Sequence, residues 1–475
     1  EPTKTELVVV GAGPGGYAAA FYAADLGKKV TLIEQDPKLG GVCLNRGCIP
    51  SKALLHAAHS VTAAKESAQR GITFAAPHIE LDKLRAWKDS IITKLAGGIA
   101  QLAQKRGVTV LRGRACFEAS QTLRVATEAG PQHLSYEHAI VAVGSQPALP
   151  TAFDLGNPRV MTSTEALEIA EIPEKLLVIG GGYIGMELGT VYAALGSQVT
   201  VIEALDSILL GADADLARPV MAYAKKNFSE IRVKAKVLQM TTVGNQIKVV
   251  SEQAGRADLP VGHQLEELFD RVLVSVGRVP NSQGLGLEHT QAKLDERGLI
   301  TVNDQQQTND PAIYAIGDIA GGLMLAHKAS RDARTAVEAI CGKPSTRKAV
   351  LPAVVFTDPE IARCGLTDTE AKSTNIPHAV AKFPWGASGR ALTFDRTDGL
   401  TKLIIDPATE RVLGVGIVGH GAGELIAEGV LAIEMGATAK DLSLCVHPHP
   451  TLSETVMESA EVFYGHATHV LPRKR

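Results

Sequence analysis

The sequence predicts an α/β chain built on two successive βαβ units and closed by an α+β segment. Three observations predict it. The stretch "LVVVGAGPGGYAAAFYAADLGKKVTLIEQD" (7–36) recurs, without a gap, as "LLVIGGGYIGMELGTVYAALGSQVTVIEAL" (176–205). Strand-rich stretches follow, closing in "AIVAVGSQP" and "RVLVSVGRVPN". A further segment begins near residue 346 with the proline-containing "LPAVVFTDPE".

Each repeat copy reads as an apolar strand, a glycine turn, a helix, and a second strand closed by a carboxylate. Gly11, Gly13 and Gly16 align with Gly180, Gly182 and Gly185, and Glu34 aligns with Glu203. In a Rossmann-like unit the first glycine makes the tight turn and the second lets the backbone approach a pyrophosphate. The third packs the helix on the sheet, and the terminal acid accepts a ribose hydroxyl. A lone fingerprint of this kind is as readily a plain turn. Two copies, each between strand and helix with an acid at the right distance, make a strong signal for two dinucleotide sites.

Between the units, residues 55–105 read as mainly helical and 107–145 as short strands. Beyond the second unit, 231–276 is strand-rich, and "AIYAIGDIAG" (312–321) is another apolar strand ending in Gly-Asp. The last segment carries strands over 401–418 and a helix over 422–435. With no low-complexity linker, the domains are expected to pack tightly.

At 475 residues the chain is too long for one core and holds about three or four domains. It is 45% hydrophobic and 21% charged with a net charge of -3, which describes a soluble globular protein and gives no sign of a nucleic-acid or anionic-membrane surface. Every apolar run is broken by Gly, Pro or charge before it could span a bilayer. The opening "EPTKTELVVVGAG" lacks the basic and apolar regions of a secretory signal, so the expected location is the cytoplasm. Six cysteines in so long a chain make no secreted disulfide framework, and a close pair leans toward chemistry.

That pair is Cys43 and Cys48 in "GGVCLNRGCIP" (40–50). In an undistorted helix, positions i and i+5 lie about 7.5 Å apart along the axis, beyond the roughly 4.4–6.8 Å between Cα atoms that a disulfide takes. A bond therefore requires a distorted helix start, for which Gly47 supplies the freedom. A zinc site fails for want of further ligands. A redox disulfide and two thiols that merely lie close both remain open on spacing alone. In "HPHPTLSE" (447–454), His449 stands between prolines and close to Glu454, and is either a satisfied structural histidine or a base with its orienting carboxylate, with His447 competing for the role. Lys52 and Glu187 are either ordinary surface charges or a cation beside a reduced flavin and its buried counter-charge.

"GGVCLNRGCIPSK", the two βαβ units, "YAIGDIAG", "MLAHKA" and "HPHPTLSE" occur in this order over nearly the whole chain. The sequence thereby resembles the class I pyridine nucleotide–disulfide oxidoreductases, in particular their lipoamide-acting branch. The resemblance implies a glutathione-reductase-like fold, with an FAD-binding domain over 1–147 and an NAD-binding domain over 148–276. A central domain over 277–346 would complete the FAD site, and a dimerisation domain would fill 347–475. FAD would be held by Gly11, Gly13, Gly16, Glu34, Gly41, Lys52, Ala115, Gly144, Ser145, Asp318 and Ala326. NAD would be held by Gly180, Gly182, Tyr183, Gly185, Glu187, Glu203, Val237 and Gly277. Cys43 would be the interchange thiol of a Cys43–Cys48 redox disulfide and Cys48 the thiol facing the flavin. His449 would be the base, oriented by Glu454.

The same resemblance implies a homodimer acting on the lipoyl domains of an E2 component or a glycine-cleavage H protein, and docking on the E2 subunit-binding domain. It implies no metal, nucleic acid or membrane span. Pro448 and Arg46 depart from the pattern, where alanine and an apolar residue are common. Glu203 argues for NAD over NADP, because a carboxylate accepts a 2′-hydroxyl and repels a 2′-phosphate. That weighs against glutathione- and trypanothione-type reductases. The ending "HVLPRKR" lacks the extra cysteine pair of mercuric reductases, and soluble transhydrogenases lack the redox pair. A catalytically silent FAD-binding subunit is the alternative of another class, and the joint presence of Cys43, Cys48, Lys52, Glu187, His449 and Glu454 argues against it.

Overall fold

The computed structural model describes residues 2–253, 262–343 and 349–471. The first sheet has seven strands, in the order Thr109–Arg112, Val30–Glu34, Thr3–Val10, Gly130–Val141, Thr122–Thr127 and Arg114–Ala119, with Ile313–Ala315 also paired to Gly130–Val141. Strands Thr109–Arg112, Val30–Glu34, Thr3–Val10, Gly130–Val141 and Ile313–Ala315 run parallel, and the two short strands that follow Gly130–Val141 in that order form an antiparallel meander. A strand covered on both faces is apolar throughout rather than alternating, and Leu7, Val8, Val9 and Val10 are all buried. Helix Pro14–Asp25 covers one face and meets helix Ala326–Ile340 through small residues, Ala19, Ala20 and Ala23 against Ala333 and Ala336.

The stretch 277–346, expected as a central domain completing the FAD site, contributes strands to this first unit. Strand Ile313–Ala315 belongs to the first sheet, and Arg278–Pro280 pairs with Ser145–Pro147. The apolar surface of Ile313, Ala315 and Ile319 is buried among Val8, Val141 and Phe117, so no separate core forms. The expected boundary at 346/347 lies outside the described residues.

The second unit repeats the first down to its register. Leu7 pairs with Val30 and Val10 with Ile33; Leu176 pairs with Val199 and Ile179 with Ile202. Its sheet has five strands, in the order Glu230–Arg232, Gln198–Ile202, Lys175–Ile179, Arg271–Val274 and Val160–Met161, and a three-stranded meander spans Ala235–Phe269.

The C-terminal part is a five-stranded antiparallel sheet, in the order Ala353–Val355, Glu360–Gly365, Val412–Gly419, Leu400–Ile405 and Ala379–Pro384. Helices Ala422–Met435 and Glu454–Tyr464 pack on it around the fully buried Trp385. It is tied to the second unit by charge. Lys402, 1% exposed, places its Nζ 2.5 Å from Asp213 and 2.7 Å from Asp215. Ile361 and Val418 enter the apolar core of the second unit, so the two parts share buried surface.

Candidate active site

The glycine turns form as the fingerprint requires. Gly11 and Gly180 adopt φ of 98° and 103°, in the left-handed region that favours glycine. A Cβ on Gly16 would stand 1.8 Å from the Gly11 carbonyl oxygen, and one on Gly185 would stand 2.2 Å from that of Gly180. Only glycine lets these helices sit so close to their turns. Helices Pro14–Asp25 and Tyr183–Leu195 start at Gly13 and Gly182 with no side-chain cap and no acid in the first turn. Their first amides are thus left for an anion such as a pyrophosphate.

Glu34 and Glu203 are placed alike. Ala12 N–H donates to Glu34 Oε2 at 2.8 Å and Asp36 N–H to Oε1 at 2.9 Å; Gly181 and Leu205 do the same for Glu203 at 2.7 and 2.8 Å. These amides orient each carboxylate at the end of its strand while leaving acceptor capacity for a ribose hydroxyl.

A cavity of about 1010 Å³ runs along the first unit. Gly11, Gly13, Glu34, Gly41, Cys43, Cys48, Lys52, Ala115, Gly144, Ser145, Asp318 and Ala326 line it, and Tyr183 and Glu187 of the second unit close one side. An uncapped helix start, a ribose-oriented carboxylate and this volume together fit a bound FAD. Tyr183 and Glu187, expected with the nicotinamide cofactor, thus face the first unit's cavity because helix Tyr183–Leu195 packs on helix Cys48–Glu66. Gly16 lies behind the turn as a packing residue.

Gly180, Gly182, Gly185, Glu203, Val237 and Gly277, expected to hold NAD, lie outside the cavity, along the second unit. Val237 is in the strand that starts at Ala235, whose amide donates to the Glu203 carbonyl at 3.0 Å. Gly277, with φ of 137°, turns the chain from the second sheet back to the first unit.

The cysteines sit in two helices, Gly41–Arg46 and Cys48–Glu66, broken at Gly47. The distortion that a bond would require falls at Gly47, as a full break between two helices. A Cβ on Gly47 would lie 2.9 Å from the Val42 carbonyl oxygen, so the folded-back chain has no room for a side chain there. Cys43 and Cys48 are not joined in this structure, and both line the cavity. Cys43 beside it, with help from the Lys52 ammonium, holds the Cys48 thiol below its ordinary value against the opposing effect of burial, while its partner and burial push Cys43 up. Cys48 is also the more exposed of the two, which suits it to the thiolate form.

Lys52 Nζ lies 2.8 Å from Glu187 Oε2 and 4.5 Å from the centre of the Phe356 ring. Phe356 N–H donates to Glu187 Oε1 at 2.9 Å, so the C-terminal part also reaches this point. Sequence reasoning missed Phe356, since "VVFTDPE" carries no local signal of its neighbours. It also missed Arg278, which lines the cavity. Arg278 Nε donates to Ser145 Oγ at 2.8 Å, and Ser145 in turn donates to Asp318. Its signal was the arginine of "VGRVPN". Arg46, the departure between the cysteines, lines the cavity and binds Asp36, Nη2 to Oδ2 at 2.6 Å.

His449 and Glu454 come together as expected, Nδ1 to Oε1 at 2.9 Å, with Thr451 N–H donating to Oε2 at 2.7 Å. His447 is withdrawn from the competition: its Nε2 lies 2.7 Å from Glu428 Oε1 and its side chain is buried. The His449 side chain is 74% exposed, and neither it nor Glu454 lines the cysteine cavity of its own chain.

The family model for pyridine nucleotide-disulphide oxidoreductases matches residues 5–333, and that for their dimerisation domain matches 351–460. The chain is 44% identical to a dihydrolipoyl dehydrogenase of Vibrio parahaemolyticus, over 99% of this chain and 98% of that protein. It is 45% identical to one of Haemophilus influenzae, over 98% and 96%. Among solved structures, LpdA from Mycobacterium tuberculosis superposes with a TM-score of 0.88 at 26% identity, covering 97% of this chain and 99% of that one. The flavoprotein disulfide reductase RclA from Escherichia coli does so with a TM-score of 0.84 at 27% identity, covering 96% and 99%. With its doubled turn, its thiol pair on a cofactor-sized cavity and matches along nearly its whole length, the chain belongs to the pyridine nucleotide-disulphide oxidoreductases, enzymes that work with FAD and NAD.

Proposed function

We propose that this enzyme oxidises protein-bound dihydrolipoamide to lipoamide and reduces NAD+ to NADH. The observation that carries the reading is the thiol pair beside the Lys52–Glu187 ion pair, in a chain whose full-length relatives are dihydrolipoyl dehydrogenases. Gly11, Gly13, Glu34, Ser145 and Asp318 would hold FAD, and Gly180, Gly182 and Glu203 would hold NAD. Bound FAD supplies the two-electron link between the dithiol and NAD that no side chain provides.

In the oxidised enzyme Cys43 and Cys48 are joined. A substrate thiol loses its proton and attacks Cys43, the Cys43–Cys48 bond breaks, and Cys48 leaves as thiolate. The second substrate thiol then displaces Cys43 from the mixed disulfide, so substrate ends as a disulfide and the enzyme as a dithiol. His449 takes the proton at Nε2, because Nδ1–H is held by Glu454 and fixes the tautomer. Lys52, with Glu187 as its counter-charge, keeps positive potential on the Cys48 thiolate. His449 would serve the partner subunit's dithiol, which is supported by its exposure and by its distance in the chain from the cysteines. Symmetry would then give two such shared sites in a homodimer.

The lipoyl domain of an E2 component or an H protein would be the substrate, with the E2 subunit-binding domain as docking partner, in the cytoplasm. No helix among the described residues is long and apolar enough to cross a membrane. Steady-state turnover with dihydrolipoamide and NAD+, against glutathione disulfide and NADPH, tests the reading. Preference for the second pair overturns it.

A further inference from the structure

Phe356, which follows strand Ala353–Val355 of the C-terminal sheet, touches both members of the Lys52–Glu187 pair. The Lys52 Nζ stands over its ring, 4.5 Å from the centre. Its backbone amide donates to Glu187 Oε1 at 2.9 Å, while Lys52 donates to Oε2 at 2.8 Å. The carboxylate is thus divided, one oxygen to each segment. The ammonium also donates to Ser51 Oγ at 3.3 Å, and that hydroxyl donates to the Cys48 carbonyl at 3.0 Å.

A ring face does for a cation what a second carboxylate would not. Its quadrupole attracts the ammonium without cancelling the charge, so Lys52 keeps a positive field toward the cysteines. Cys43, and after it Lys52, hold the Cys48 thiol below its ordinary value against burial. The Lys52 stem is long and flexible, and its side chain is 32% exposed, so without the ring it has solvent to swing into.

The ring is itself held in place. Thr357 is buried, and its hydroxyl donates to the Pro359 carbonyl at 2.8 Å. Asp358 is bound by Arg396, and its Oδ2 lies 3.9 Å from Nδ1 of His59. His59 stands about two turns beyond Lys52 on helix Cys48–Glu66. Residues 356–358 therefore meet the helix that carries Cys48 at two points, the Lys52 ammonium and the His59 ring.

We infer that Phe356 is a positioning residue: its ring holds the Lys52 ammonium and its amide holds the Glu187 carboxylate, so the C-terminal sheet fixes the cation that serves the thiol pair. The inference rests on the proposed role of Lys52 beside the Cys48 thiolate.

Iodoacetamide alkylation of Cys48 near neutral pH, in the reduced holoenzyme, tests it, with the Cys48 peptide followed by mass spectrometry. Trifluorophenylalanine in place of Phe356 keeps the shape of the ring and drains its face of negative potential, so folding is not at stake. Phe356→Leu removes the ring outright. The alkylation rate should fall by about 3–10-fold in both. In a Lys52→Met background neither change should lower the rate further, because the ring then has no cation to hold. An unchanged rate with the fluorinated ring overturns the inference. So does a loss of the same size in the Lys52→Met background, which would assign Phe356 to packing alone. No lipoyl substrate enters this measurement, so a preference for glutathione disulfide and NADPH in turnover would overturn the lipoamide reading and leave the coupling of Phe356 to Lys52 standing.

Discussion

Lys52 and Glu187 meet across the seam between the two βαβ units, Nζ to Oε2 at 2.8 Å, with Glu187 buried and Lys52 about one-third exposed. Lys52 stands one turn into the helix that begins at Cys48, and Glu187 lies near the start of the second unit's own helix. The contact links the thiol pair to the nicotinamide-side unit. It also holds the cation that favours the Cys48 thiolate.

Replacing Lys52 with Met should therefore raise the Cys48 thiol. That thiol is held below its ordinary value in the folded enzyme, so thiolate present near neutral pH in the parent should be lost in the variant. The midpoint of Cys48 alkylation by iodoacetamide in the reduced enzyme should move upward, toward about 8–9. An unmoved midpoint would show that Lys52 does not set the thiolate.

Cys48→Ser should retain FAD and lose dihydrolipoamide oxidation by at least roughly 10³-fold, since the leaving thiolate of the disulfide is gone. NADH oxidation by an artificial electron acceptor should persist. Near-normal lipoamide turnover in the variant would remove the redox pair from the mechanism.

Glu203→Gln should weaken NADH and relieve repulsion of a 2′-phosphate. The ratio of kcat/KM for NADH over NADPH should fall by about 10-fold or more, equivalent to about 1.4 kcal/mol. Equal use of both cofactors by the unmodified enzyme would refute the role of Glu203.

Mixing Cys43→Ser dimers with His449→Ala dimers under conditions of subunit exchange should restore lipoamide activity. A heterodimer holds one site with intact Cys43 from one chain and intact His449 from the other. If His449 served its own chain, every site would keep a lesion and mixing would restore nothing.

Lys402→Met removes the buried cation that binds both Asp213 and Asp215 at the junction of the second unit and the C-terminal sheet, leaving Lys382 on Asp215 alone. Breaking a buried pair from one side costs roughly 3–5 kcal/mol, so chemical denaturation should shift to lower denaturant. In the parent, both carboxyls titrate below their unfolded values: burial opposes this, but Lys402 and then Thr369 outweigh it at Asp213, and Lys382 and then Lys402 do so at Asp215. Their contribution is present above the unfolded value and is lost as pH falls through the folded one. The acid limb of stability should therefore be shallower in the variant.

Local rules wrote much of this protein into its sequence. The two glycine turns, the acids closing Glu34 and Glu203, and the pairing of His449 with Glu454 all depend on neighbours within about thirty residues or fewer. Periodicity also located the late helix, which runs over Ala422–Met435.

Contacts between distant segments were decided only by the tertiary structure. Strand Ile313–Ala315 joined the first sheet because its three residues have an apolar surface that only that sheet can bury. Helix packing turned Tyr183 and Glu187 toward the first cavity. Phe356 and Arg278 gained their roles from partners far away in the chain, Glu187 and Ser145. A hydrogen bond or a buried charge pair requires only that two groups meet in space, so no local pattern in the sequence announces it.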